Sequence, residues 1–124
     1  MLTWNVTYHC KPGKREEFFK AISALGVRAH SNSEAGNVKY DYFFDAQDPD
    51  ALLLVETWTE PALQQAHCQT EIFARLQALK TEFCESVTYS CRLKECLSKR
   101  LSKFIIICIK TFLRKLLLEY FTNK

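Results

Sequence analysis

Whatever acid–base chemistry this chain performs must come from three histidines and a few carboxylates, amides and phenols. His67 is the leading base, because an unperturbed imidazole titrates at about 6.5 and exchanges protons near neutrality. The competing reading is a helix histidine bonded to a backbone carbonyl. His9 and His30 fall at a strand end and a helix end and read as solvated. Glu56 shares a strand face with Leu52, Leu54 and Trp58. Apolar neighbours disfavour a charged carboxylate, so Glu56 is either a second acid or base or one half of a salt bridge across a dimer. Asn5 is an oxyanion donor or an inter-strand amide, and alternation sets it on the face opposite Trp4 and Val6. Tyr40 and Tyr42 share a face; their hydroxyls position a substrate oxygen or are the wet tips of core aromatics. Trp58, with Trp4, Tyr8, Tyr42 and Phe44, supplies aromatic walls for a substrate pocket. Asp48 and Asp50 flank Pro49 and read as turn formers.

Other chemistries lack their residues. No glycine-rich phosphate loop, dinucleotide fingerprint, H-E-x-x-H or G-x-S-x-G pattern is present, so flavin, nicotinamide and zinc are not expected. The six cysteines, at 10, 68, 84, 91, 96 and 108, include no C-x-x-C pair. They read as reduced thiols of a cytoplasmic protein rather than a disulfide framework or a metal site. The start of the chain carries no cationic segment followed by an apolar one, so no signal peptide is expected.

These side chains need a scaffold, and the hydrophobic pattern outlines one. Residues 2–10 alternate in the manner of a strand, with Leu2, Trp4, Val6 and Tyr8 on one face. After Lys11-Pro12-Gly13, Phe18, Ile22, Leu25 and Ala29 recur at helical spacing, and the helix is expected to end before Ser31. Val38 to Phe44 and Leu52 to Trp58 read as strands. The run Leu52-Leu53-Leu54-Val55 is apolar on both faces, which implies burial on both sides of the sheet. A helical region follows from about Pro61 to Phe83, broken near Gln69-Thr70, with Ile72, Leu76, Leu79 and Phe83 as its stripe. Glu85 to Leu93 is a fourth strand. The order β-α-β-β-α-β defines an α+β, ferredoxin-like fold. Two helices cover only one sheet face, so a second copy of the chain is expected on the other, giving a homodimer.

The 124 residues are 48% hydrophobic and 25% charged, which suits one globular domain. Residues 1–95 hold 10 basic and 13 acidic side chains, a net of −3, and no nucleic-acid partner is expected for them. Residues 96–124 hold 7 basic side chains and one acidic, a net of +6. There Leu97, Leu101, Phe104, Cys108, Phe112 and Leu116 recur at helical spacing, and the longest charge-free run, Phe104 to Ile109, has six residues. A spanning helix needs about 20 apolar residues, so the tail reads as a cationic amphipathic helix. It packs on the domain or its mate, makes weak contact with an anionic membrane surface, or is an extension without a role.

Three stretches resemble the antibiotic biosynthesis monooxygenase-like family. They are the opening strand running into Lys11-Pro12-Gly13-Lys14, then Glu34-Ala35-Gly36-Asn37 before an aromatic strand, then Leu54-Val55-Glu56-Thr57-Trp58 followed by Ala66-His67 and Thr70-Glu71-Ile72-Phe73. The resemblance implies a dimeric α+β barrel over residues 1–95 and a histidine, His67, beside the pocket. Two branches depart from this sequence. The haem degraders use Asn, Trp and His where this chain has Val6, His67 and Gln77, and the actinorhodin-pathway oxygenase keeps only Trp58, with Leu54 and Gln64 at its other two positions. The chain is more similar to the quinol monooxygenase and signal-isomerase branches. The expected function is a cofactor-independent monooxygenase acting with O2 on a quinol-like or phenolic small molecule, with His67 and Glu56 catalytic and Asn5, Tyr42 and Trp58 binding substrate. The alternatives are a cofactor-free isomerase of a small carbonyl metabolite, and a non-catalytic barrel binding protein. An anionic substrate would need a nearby cation, for which Lys39 and Arg28 are the candidates.

Overall fold

The computed structural model describes residues 1–94 of the chain; the expected boundary near residue 95 and the amphipathic tail over 96–124 lie outside the described residues. Eight elements follow one another: β1 (Leu2–Cys10), α1 (Arg15–Leu25), α2 (Val27–Ser33), β2 (Asn37–Phe44), β3 (Ala51–Trp58), α3 (Pro61–His67), α4 (Glu71–Phe83) and β4 (Cys84–Leu93). The strands form one antiparallel sheet in the order β2-β3-β1-β4, the ferredoxin-like topology that the element order predicts.

Each helical half of that pattern is split in two, for a local reason. Gly26 adopts φ +76°, a left-handed conformation that ends α1 while its N–H bonds back to the carbonyls of Ile22 and Ser23. The chain then resumes as α2, which runs to Ser33 rather than stopping before Ser31. In the second half, Cys68 to Thr70 separates α3 from α4, and the Thr70 hydroxyl accepts a hydrogen bond from Phe73 N–H as the cap of α4.

Register sets which side chains meet. Across β1 and β3, Trp4 pairs with Glu56, Val6 with Leu54 and Tyr8 with Leu52. Across β1 and β4 the same three residues pair with Cys91, Tyr89 and Val87. These side chains all project to the helix-covered face, where Phe18 and Ile22 of α1, Val27 of α2 and Leu76 of α4 close a core around Tyr8, Leu52, Leu54, Tyr40 and Trp58. A large side chain buried this completely contributes about 1.5–3 kcal/mol. A register irregularity between Asn37 and Lys39 turns Val38 outward, so it leaves the face its alternation assigns it.

The second sheet face presents Thr3, Asn5, Thr7 and His9 from β1 beside Leu53, Val55 and Thr57 from β3. Thr3 and Thr57 hydroxyls meet at 3.0 Å, and His9 Nε2 meets the Thr88 hydroxyl at 3.1 Å. No described helix covers these residues, and Leu53 and Val55 are half-buried.

Candidate active site

A cavity of about 170 Å³ opens between the helix-covered sheet face and α3 and α4. Its floor is Trp4, Val6 and Tyr8 of β1, Leu54 and Glu56 of β3 and Tyr40 of β2; Gln64 and Cys68 close one side, Phe73 and Lys80 of α4 another, and Tyr89 of β4 stands at the rim, 58% exposed. A dry apolar cavity of about 150 Å³ accepts a benzene-sized ring, so this one suits a single aromatic ring with small substituents.

Glu56 is the carboxylate of the cavity. It sits on the inner strand β3, flanked across the sheet by Trp4 and Tyr40, and is 5% exposed. Burial raises its pKa above the ordinary carboxylate range. The Trp58 indole, His67, the Gln64 amide and Lys80 are near enough to favour the charged form and partly offset that rise. The Gln64 contact is long, 3.5 Å from Nε2 to Glu56 Oε1, and the Trp58 N–H falls short of hydrogen-bond geometry with any partner. Glu56 is thus weakly held and open to the cavity, as a group that exchanges protons with a bound molecule must be. Among the described residues it forms no salt bridge.

His67 occupies a different position from the one its chemistry suggests. It is 1% exposed and lies behind the cavity wall, stacked near Trp58 (ring centroids 5.1 Å apart) and edge-on to Phe73 (5.3 Å) and Tyr40 (5.5 Å). Its Nδ1 lies 2.6 Å from Glu34 Oε2. An ionised Glu34 only accepts, so in that pairing Nδ1 is the donor. Nε2 is buried with no partner among the described residues. Glu34 reaches His67 from the turn between α2 and β2, and Gly36 in that turn lets α3 come close. Gly36 has φ +77°, and a Cβ there would strike the Leu63 side chain and lie 2.7 Å from Thr59 Oγ1.

The other expected site residues divide. Trp58 is fully buried beneath Glu56 and touches His67 rather than the cavity. Tyr42 packs against Phe19, Tyr8 and Tyr40 and does not line the cavity; burial raises its phenol well above its usual value. Asn5 is a correction: it pairs with Val55 and Ser90 on the second sheet face, so its amide cannot reach a ligand in this cavity. Lys39 and Arg28 are corrected too. Lys39 lies over the Phe43 ring, and Arg28 is paired with Asp41 at 2.7 Å, both away from the cavity lining.

The cation at the cavity is Lys80, which the sequence reading passes over. Phe73, Leu76, Lys80 and Phe83 follow one another at spacings of three, four and three along α4, so a lysine stands in line with apolar residues on the buried stripe. That interruption was the available signal. Gln64 and Glu34 gave none, since each acts on a residue placed by tertiary contact.

An α+β ferredoxin-like domain with an aromatic cavity and one buried carboxylate at its floor is the class of protein this geometry defines. Residues 1–79 match the family model described as antibiotic biosynthesis monooxygenase, and the chain belongs to that family. Among solved structures it is similar to PA3566 from Pseudomonas aeruginosa, with 27% identity and a TM-score of 0.68 over 77% of this chain and 94% of that one. A structure described as an antibiotic biosynthesis monooxygenase is 26% identical, with a TM-score of 0.64 over 77% and 99% of the two chains. Rv0793 from Mycobacterium tuberculosis shares the fold, at 17% identity and a TM-score of 0.66 over 77% and 97%. No curated protein matches the chain.

Proposed function

We propose that the protein is a cofactor-independent monooxygenase that oxidises a one-ring phenol or hydroquinone with O2. The observation that carries this reading is Glu56, a buried carboxylate of raised pKa on the floor of an aromatic cavity sized for one ring. Glu56 takes the phenolic proton. The resulting anion is electron-rich enough to pass one electron to O2, and the two radicals join at a ring carbon as a peroxide. Loss of water then leaves a hydroxyquinone, so one hydroquinone and one O2 give one hydroxyquinone and one water. The protein contributes a dry site, a base and a fixed orientation. His67 acts from behind as a positioning residue, held by Glu34 and close enough to Glu56 to favour its charged form.

An isomerase acting on a small carbonyl metabolite would use the same carboxylate. The ring faces of Trp4, Tyr8, Tyr40 and Phe73 in the lining favour an aromatic substrate instead, because they pack against a planar ring. We further propose that two copies pair through the sheet face bearing Leu53 and Val55, and that the free thiols of Cys10, Cys68, Cys84 and Cys91 belong to a cytoplasmic protein. No described helix is long and apolar enough to cross a membrane.

Oxygen uptake tests the reaction, with one- and two-ring hydroquinones offered to the wild type, Glu56→Gln and His67→Ala. The expected result is uptake by the wild type with the one-ring substrate and loss in Glu56→Gln. Uptake no faster than autoxidation across the series overturns the proposal.

A further inference from the structure

Lys80 is 8% exposed, yet its only described polar partners are neutral: Nζ donates to Gln77 Oε1 at 3.3 Å and to Tyr89 Oη at 3.4 Å. Both bonds are longer than the usual range of about 2.7–3.2 Å. The ammonium lies over three rings, 5.5 Å from the centre of Tyr8, 5.6 Å from Phe73 and 5.8 Å from Tyr89, a cage that attracts a cation through ring quadrupoles. Among the described residues no carboxylate comes within 4.0 Å of it. A buried cation with no carboxylate in direct contact is normally costly, because two weak bonds, three ring faces and the more distant Glu56 do not replace its hydration. This one lines the cavity together with Glu56, and an ammonium has three protons to donate.

We infer that Lys80 is an anion-binding subsite of the cavity, and that the substrate is a one-ring hydroxylated aromatic acid whose carboxylate pairs with Lys80 while its hydroxyl faces Glu56. The cavity then separates two tasks: Lys80 orients the ring by pairing with its carboxylate, and Glu56 handles the proton that leaves. Tyr89, at the rim and in contact with Lys80, places the anion at the open side, where the carboxylate keeps part of its hydration. The inference rests on the cavity being the substrate site of the proposed oxygenase, so binding and turnover are measured separately.

The test is calorimetric titration of the full-length protein with 4-hydroxybenzoate and with its neutral counterpart 4-hydroxybenzamide. A charge-assisted bond to a buried ammonium gives the wild type at least a tenfold preference for the carboxylate. Lys80→Met removes that preference while leaving the amide affinity within about threefold, and Lys80→Arg retains part of it. If Lys80→Met fails to fold by circular dichroism, Lys80→Gln replaces it, and the wild-type comparison stands regardless. Equal or reversed affinities in the wild type, binding of neither probe, or a preference that survives neutralisation of Lys80 overturns the inference. Oxygen uptake on the same samples separates the two proposals. Anion preference without uptake keeps the subsite and removes the oxygenase; uptake with hydroquinone but no anion preference does the reverse.

Discussion

Replacing Glu34 with alanine removes the one described hydrogen-bond partner of the His67 imidazole and leaves both ring nitrogens bare in the interior. The imidazole is 1% exposed, so no bulk water takes the place of the lost oxygen. A hydrogen bond to a charged group is worth about 1.5–3 kcal/mol, and the Glu34 side chain is 17% exposed, which puts this one in the lower half, about 2 kcal/mol. For a domain of this size each kcal/mol moves the melting temperature by about 4–8 °C, so Glu34→Ala is expected to melt roughly 8–16 °C below the wild type. Glu34→Gln keeps an acceptor oxygen and is expected to lose less than half as much. The control is His67→Phe, whose ring keeps company with Trp58, Phe73 and Tyr40 but makes no hydrogen bond. On that background Glu34→Ala should cost little, since the interaction it removes is already gone. Thermal melts followed by near-ultraviolet circular dichroism at pH 7 read the wild type and the four variants. An unchanged melting temperature for Glu34→Ala refutes the reasoning. An equal loss with and without His67 reassigns the effect to another contact, such as the 3.6 Å approach of His30 Nε2 to Glu34 Oε1.

Glu56→Gln is expected to abolish turnover yet melt higher than the wild type at pH 8. The raised pKa of Glu56 means the fold favours its protonated form, so the residue's stabilising contribution is full below the unfolded value of about 4.3 and is lost as pH rises through the folded one. The gap between variant and wild type therefore narrows on acidification, and a gap independent of pH between 4 and 8 counts against a buried, destabilised charge. Leu54→Lys places a charge under the helices and is expected to unfold the domain, whereas Val55→Lys, on the other face, should fold but dissociate the proposed dimer by light scattering. A soluble, dimeric Val55→Lys would show that the face is not the interface. Gly36→Ala combines a left-handed φ with a clash against α3, and a loss of about 1–3 kcal/mol in urea unfolding is expected; no change would mean that α3 yields freely.

The sheet was legible because alternation in β1 and β4 is strict and the doubly apolar run of β3 marks an inner strand, and alternation placed Asn5 on the face away from Trp4 and Val6 without saying which face holds the cavity. Local signals foretold less where a single backbone angle decides. Gly26 lies in the middle of a continuous helical stripe, and only its left-handed conformation splits α1 from α2. Glu56 was legible as a carboxylate among apolar neighbours on an inner strand. The position of His67 was not, because its burial behind Trp58 and its pairing with Glu34, 33 residues away, exist only once α3 has folded onto β2. Lys80 was overlooked for a physical reason. A lysine on a helix usually carries its ammonium out to water, and here three aromatic rings from three different elements retain it instead.

The split of the second helical half after His67 also bears on how such a site diversifies. Glu56 and the aromatic residues beside it belong to paired strands, where a shift of one residue would invert every side chain and dismantle the core. Gln64 comes from a seven-residue helix, and Phe73 and Lys80 from the thirteen-residue helix that follows the break. Substitutions on these two short helices can reshape or recharge the ligand's surroundings while the strand-borne carboxylate stays in register. Proton chemistry and ligand choice are thereby inherited on separate pieces of chain, and a descendant can exchange its substrate without having to reinvent its base.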